Sequence, residues 1–125
     1  MIKRIVPNIQ TTDPALAQKF YGEILDMELL MDMDWIRTYG TSPTSEETKP
    51  DTSPKSFQIS FLTEGGMNTP APDLSIEVDD LDKVLGQMQQ AGFKIEHGPT
   101  REPWGVRRFF VRDPFGKLVN ILVHA

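Results

Sequence analysis

Few residues in this chain have side chains suited to chemistry. Two histidines, His97 and His124, and no cysteines are present, so there is no disulfide, no thiolate nucleophile and no Cys-bound zinc. His97 ends a strand-like run beside Gly98 and His124 is the penultimate residue; both positions predict surface polar side chains rather than ligands. Two carboxylate pairs, Asp32/Asp34 and Asp79/Asp80, have the composition of acid–base sites. The first is placed for solvation at a strand edge and the second for capping a helix. No serine sits in a G-x-S-x-G elbow, and EGGMN at 64–68 lacks the lysine and following helix of a phosphate loop. What remains is aromatic: Trp104, in the aperiodic TREPWG, and Trp35, in the strand-like DWIRTYG. An indole is too large and apolar to be left in water without benefit. Trp104 therefore either lines a ligand site or packs on a sheet edge or a subunit partner, with Pro103 fixing its loop.

The elements that must position these residues are legible in order. A first strand, IKRIVPNI, precedes a turn in which Asp13 can cap a helix with Pro14 at its first position. The helix is predicted from about Asp13 to Leu25, with Leu16, Ala17, Phe20, Tyr21 and Ile24 on its buried face and Gln18, Lys19 and Glu23 opposite. Strands ELLMDM and WIRTYG follow. Segment 41–56 has no large apolar residue and three prolines, which predicts a mobile surface loop, either a lid or a disordered insertion. FQISFLTE then alternates Phe57, Ile59 and Phe61 against Gln58, Ser60 and Leu62.

After a linker at about 65–72 the order restarts. DLSIEV leads into a helix from Asp79 or Asp80 with the stripe Leu81, Val84, Leu85 and Met88, ended by Gly92 in the left-handed conformation. FKIEH, a turn-rich GPTREPWG and the strands VRRFFVR and KLVNILVH follow, the last two joined by the DPFG turn. The reading is one α+β domain over 1–125 built from two βαβββ modules, about 1–64 and 73–125. Their sheets combine into a cup-shaped mixed sheet with the helices outside.

Composition bounds the partners. The net charge of -5 and pI near 4.9 argue against nucleic acid, which needs clustered Lys and Arg. The basic group Arg101, Arg107, Arg108 and Arg112 is interrupted by Phe109, Phe110 and Val111 and reads as surface arginines on a strand. No apolar run approaches the roughly 20 residues of a membrane span, and MIKRIVPNIQ has no signal-peptide core. A cytoplasmic location is expected.

The element order, FYGEIL in the first helix and the closing GVRRFFVRDPFGKLVNIL together resemble the vicinal oxygen chelate superfamily, which includes glyoxalase I, extradiol dioxygenases and bleomycin-resistance proteins. The resemblance covers nearly the whole chain and is weakest over 41–56 and 65–72. It implies His and Glu metal ligands from the first, fourth, fifth and eighth strands. Here those positions are read as Val6, Ser60, Asp73 and Asn120, a set with one carboxylate, no imidazole and otherwise neutral oxygens or nothing. Such donors do not offset the dehydration of a transition metal, so no metal or other cofactor is expected.

Strand alternation places Asn8, Gln58, Ser60, Ser75, Glu77 and Asn120 on one side with Val6, Leu62, Leu118 and Leu122, a mixed wall suited to a small molecule. By resemblance to the bleomycin-resistance branch, Trp104 and Trp35 line a groove near a dimer interface, with Glu102 as counter-charge to a planar, cationic ligand. The leading expectation is a homodimeric, metal-independent protein that sequesters a small molecule. The alternatives are a metal-dependent lyase, isomerase or dioxygenase using displaced ligands such as Asp73, Glu77 and Glu64, and a regulatory module that uses the cup for protein contact.

Overall fold

The computed structural model describes residues 1–41 and 57–125; apart from Thr41, the segment read as a lid lies outside the described residues. Eight strands form one mixed sheet in the order β2-β3-β4-β1-β5-β8-β7-β6. The first module supplies β1 (Ile2–Gln10), β2 (Glu28–Met33), β3 (Ile36–Gly40) and β4 (Gln58–Leu62); the second supplies β5 (Leu74–Val78), β6 (Ile95–Glu102), β7 (Val106–Arg112) and β8 (Leu118–His124). Each module repeats one arrangement: a hairpin, a third strand antiparallel to it, and the module's first strand parallel to that third. The modules meet where β1 pairs antiparallel with β5, Val6 opposite Ser75 and Arg4 opposite Glu77. They therefore pair within one chain.

Hydrophobic periodicity accounts for the second module. Helix α1 (Leu81–Gln90) is capped by Asp80, whose carboxylate accepts from the Lys83 N–H. Its Leu81, Val84, Leu85 and Met88 pack on Phe109, Val111, Val119 and Ile121 of the sheet. Gly92 leaves the helix with φ +86°. Between β7 and β8 the Asp113 carboxylate accepts from the backbone N–H groups of Phe115 and Lys117, and Gly116 takes φ +82°.

Two expectations are corrected. The first helix is not one α-helix over 13–25: a 3-10 turn at Pro14–Leu16, capped by Asp13, runs into a π-helical turn at Gln18–Ile24. Its wider i→i+5 spacing, seen in the Leu25 N–H to Phe20 C=O bond, departs from the α-helical spacing on which the buried face was assigned. Ala17 and Tyr21 pack on Tyr39 and Phe61. Leu16, Phe20 and Ile24 are exposed at 72%, 57% and 67%. The second correction concerns GPTRE, expected as turn, which continues β6 to Glu102 through two irregularities in its pairing with β7.

Candidate functional site

The concave side of the sheet encloses a cavity of about 420 Å³ lined by both modules, within the usual range for small-molecule sites. Its floor follows from strand alternation. Val6 and Asn8 of β1, Gln58, Ser60 and Leu62 of β4, Ser75 of β5, and Asn120 and Leu122 of β8 all line it, as the period-two reading expects. Glu77 and Leu118, read to the same side, are not on the lining. Leu118 is buried, and Glu77 sits behind two lining residues, Arg4 and His124.

The polar floor is bonded to itself. Ser75 Oγ accepts from the amide nitrogens of Asn8 at 3.0 Å and Asn120 at 3.1 Å, tying β1, β5 and β8 across the module seam. Thr38 and Ser60 share a hydroxyl bond of 2.7 Å, and Arg4 Nη1 donates to Gln58 Oε1 at 2.5 Å. Asn120 Oδ1 is buried without a hydrogen-bond partner.

This geometry corrects the fifth-strand position of the superfamily's metal set. Asp73 precedes β5, and its Oδ2 accepts from the Leu118 N–H at 2.9 Å. The residue in register with both Val6 and Asn120 is Ser75. The four converging side chains are thus Val6, Ser60, Ser75 and Asn120, with no carboxylate or imidazole, and the hydroxyls of Ser60 and Ser75 are already bonded to neighbours. They do not fit a divalent metal. The displaced set fares no better: Glu64 accepts from the Asn68 N–H, Glu77 is held by basic side chains, and Asp73 holds β8. Among the described residues no three His, Cys, Asp or Glu side chains cluster as a metal site.

One end of the cavity is aromatic. Trp35 precedes β3 at the tip of the β2–β3 hairpin, Trp104 occupies the equivalent tip between β6 and β7, and their rings meet at 5.3 Å. Leu30, Met31, Met33, Ile36 and Val106 extend the apolar wall. Behind Trp104 lies a buried ion pair that the surface-arginine reading missed. Arg108 is 2% exposed. Its Nε donates to Glu102 at 2.6 Å, its Nη1 to the Gly65 carbonyl at 2.6 Å and its Nη2 to the Gly66 carbonyl at 3.4 Å. The guanidinium also lies over the rings of Trp104 and Phe110, 4.8 and 4.6 Å from their centroids. Burial lowers its pKa, opposed by the charge and hydrogen bond of Glu102. The clue was in VRRFFVR: alternation puts Val106, Arg108 and Phe110 on the cup side and Arg107 on the other, where it pairs with Asp82; Arg112, at the exposed end of β7, pairs with Glu96.

Glu102 is therefore not available to a ligand: it is 5% exposed, off the cavity lining, and committed to Arg108. The 65–72 segment is also more than a linker, because Gly65 and Gly66 hold Arg108 by their carbonyls. At the opposite corner His124 Nδ1 lies 2.8 Å from Glu77 Oε2. His97 rests on Phe110 and lies 3.4 Å from Glu102.

The profile of the Glyoxalase/Bleomycin resistance protein/Dioxygenase superfamily matches residues 2–121, and the chain belongs to that superfamily. Its fold is that of several solved structures. A methylmalonyl-CoA epimerase variant from Streptomyces coelicolor, in complex with 2-nitronate-propionyl-CoA, superimposes with TM-score 0.70 at 16% identity, covering 100% of this chain and 99% of the other. The methylmalonyl-CoA epimerase of Mycobacterium tuberculosis gives 0.63 at 18% identity over 96% and 86%. The structure of an NAD-dependent benzaldehyde dehydrogenase from Legionella pneumophila gives 0.70 at 15% identity over 98% and 100%. No curated protein sequence matches the chain. No helix among the described residues is long and apolar enough to cross a membrane.

Proposed function

We propose that this protein binds a small molecule in the cup without a metal ion, sequestering it. The observation that carries this reading is a cavity of about 420 Å³ walled by two tryptophans at the positions where hairpin tips meet. Its floor holds Val6, Ser60, Ser75 and Asn120 where the superfamily resemblance implies metal ligands. An apolar end supplies affinity and a polar, internally bonded floor supplies orientation. Homodimerisation belongs to the proposal, supported by the exposed apolar residues of the first helical segment. So does a cytoplasmic location, consistent with a chain without cysteine.

The test uses the protein's own reporters, since its two tryptophans both line the cavity. Chelator-treated protein is titrated with planar apolar compounds by intrinsic fluorescence, then again with nickel, zinc, manganese, cobalt or ferrous iron. Saturable quenching that metals leave unchanged is expected, with about 2.7 kcal/mol of added stability at 100 times the dissociation constant. Binding that appears only with a metal overturns the reading.

A further inference from the structure

Resting on the cavity as a small-molecule site, we infer that the corner formed by Arg4, Gln58 and His124 is an anion subsite, and that the ligand is a planar aromatic carboxylate. Two arginines line the cavity and they differ in kind. Arg108 is saturated: every nitrogen has an oxygen partner and its charge is matched by Glu102. Arg4 is not. Its Nη1 is fixed by Gln58. Its Nε lies 3.1 Å from Glu77 Oε1, yet the N–H direction misses the oxygen and the buried donor stays unpaired. Among the described residues Nη2 takes no partner.

Charge at this corner is unbalanced. One carboxylate, Glu77, serves Arg4, Lys3 at 3.9 Å and His124 at 2.8 Å. Two permanent cations and an imidazole thus face one anion, and no Asp or Glu lies among the described lining residues. The guanidinium is held from one side by Gln58 and Glu77, leaving Nη2 as the donor for a carboxylate oxygen, a charge-assisted bond. Trp35, Trp104 and the methionines of β2 line the apolar remainder of the same cavity. A cationic ligand would meet Arg4 with its intended partner, Glu102, already taken.

Calorimetry with three molecules of one shape decides it: naphthoate, naphthamide and naphthylmethylamine, titrated into the full chain at neutral pH. Naphthoate is expected to bind about tenfold tighter than naphthamide, the effect of one charge-assisted hydrogen-bond pair, and the amine most weakly. Arg4→Gln is expected to remove the preference, the acid losing more affinity than the amide, and Arg4→Lys to retain part of it. Should Arg4→Gln fail to fold, the Arg4→Lys comparison and the weakening of the wild-type acid preference by salt carry the test. Equal binding of acid and amide, tighter binding of the amine, or an acid preference surviving Arg4→Gln overturns the anion subsite and leaves the cavity a binding site. No saturable binding of any of the three overturns both readings.

Discussion

The rings of Trp35 and Trp104 meet at 5.3 Å with a 60° tilt, although 69 positions separate them in sequence. Each stands at the tip of a hairpin that occupies the same place in its module, so the contact joins the two halves across the cup. Tilted aromatic pairs add about 0.5–1.5 kcal/mol beyond the area they bury. Replacing either tryptophan by alanine is expected to destabilise by about 2–3 kcal/mol, less than a fully buried ring, and the double variant by less than the sum. Urea unfolding of the two single variants and the double variant measures this; strict additivity would show that the rings do not support one another.

Arg108 and Glu102 form the most buried ion pair in the described structure, with side chains 3% and 4% exposed. Removing one partner leaves an uncompensated charge in a dry site, which costs about 3–5 kcal/mol. Glu102→Ala should therefore lower the denaturation midpoint strongly, and Glu102→Ala combined with Arg108→Met should recover much of the loss. An unchanged midpoint in the single variant would contradict the pairing.

Much of this was legible in sequence, for identifiable reasons. Period-two alternation placed Asn8, Gln58, Ser60, Ser75 and Asn120 correctly because both partners of each strand are fixed by neighbours in the sheet. The capping of α1 and the DPFG turn are local chemistry and came out as read. The first helix did not, because a π turn alters the spacing and its bond pattern leaves no mark in residue type. Asp73 lies two residues ahead of Ser75, the residue in register with Val6 and Asn120, and residue type alone does not fix that register. Arg108 reads as a surface residue when the four arginines are taken together, whereas alternation puts Arg107 and Arg108 on opposite faces of β7. The commitment of Glu102 to Arg108 depends on β6 continuing past Gly98 and Pro99, residues that signal a turn.

Glu77 sets the acid response of the cavity corner. Burial pushes its pKa up, but the hydrogen bond with His124 and the charges of Arg4, His124 and Lys3 outweigh this, and the net direction is down. A carboxyl whose folded pKa lies below its unfolded value contributes stability that is full above the unfolded value and is lost as pH falls through the folded one. Melting temperature should thus decline below about pH 4.3, the ordinary glutamate value. Glu77→Gln should flatten part of that decline. Asp79, Asp82 and Glu96 shift the same way through the N-terminal amine, Arg107 and Arg112, but they are solvent-exposed pairs and add little. A wild-type profile that the Glu77 substitution leaves unaltered would remove Glu77 from this role.

Gly66 is the point at which backbone, aromatic pair and ion pair converge. It has φ +88°, and a Cβ built there would lie 2.6 Å from Trp104 and 2.9 Å from Trp35. Its carbonyl also accepts from Arg108. Gly66→Ala is expected to cost about 1–3 kcal/mol through strain and overpacking and to shift the tryptophan emission, because the methyl group must part the rings. Gly86 is the control: it lies within α1, and a Cβ there meets nothing within 4 Å. Gly86→Ala should stabilise by up to about 1 kcal/mol with emission unmoved. Equal effects at the two positions would show that the space around Gly66 is not set by the tryptophans.

The exposed residues Leu16, Phe20 and Ile24 recur at every fourth position of the first helical segment, where burial was expected. Exposed apolar residues gathered on one segment mark a contact, and a twofold homodimer would cover them with the same segment of a second copy. Sedimentation should find a dimer that Phe20→Glu combined with Ile24→Glu converts to monomer. Because Ala17 and Tyr21, not these two, pack on the sheet, the variant should keep its fold and its tryptophan emission. A wild-type chain that sediments as a monomer at all concentrations removes the homodimer from the proposal. The cavity, which one chain forms from its own two modules, would in either case retain its walls.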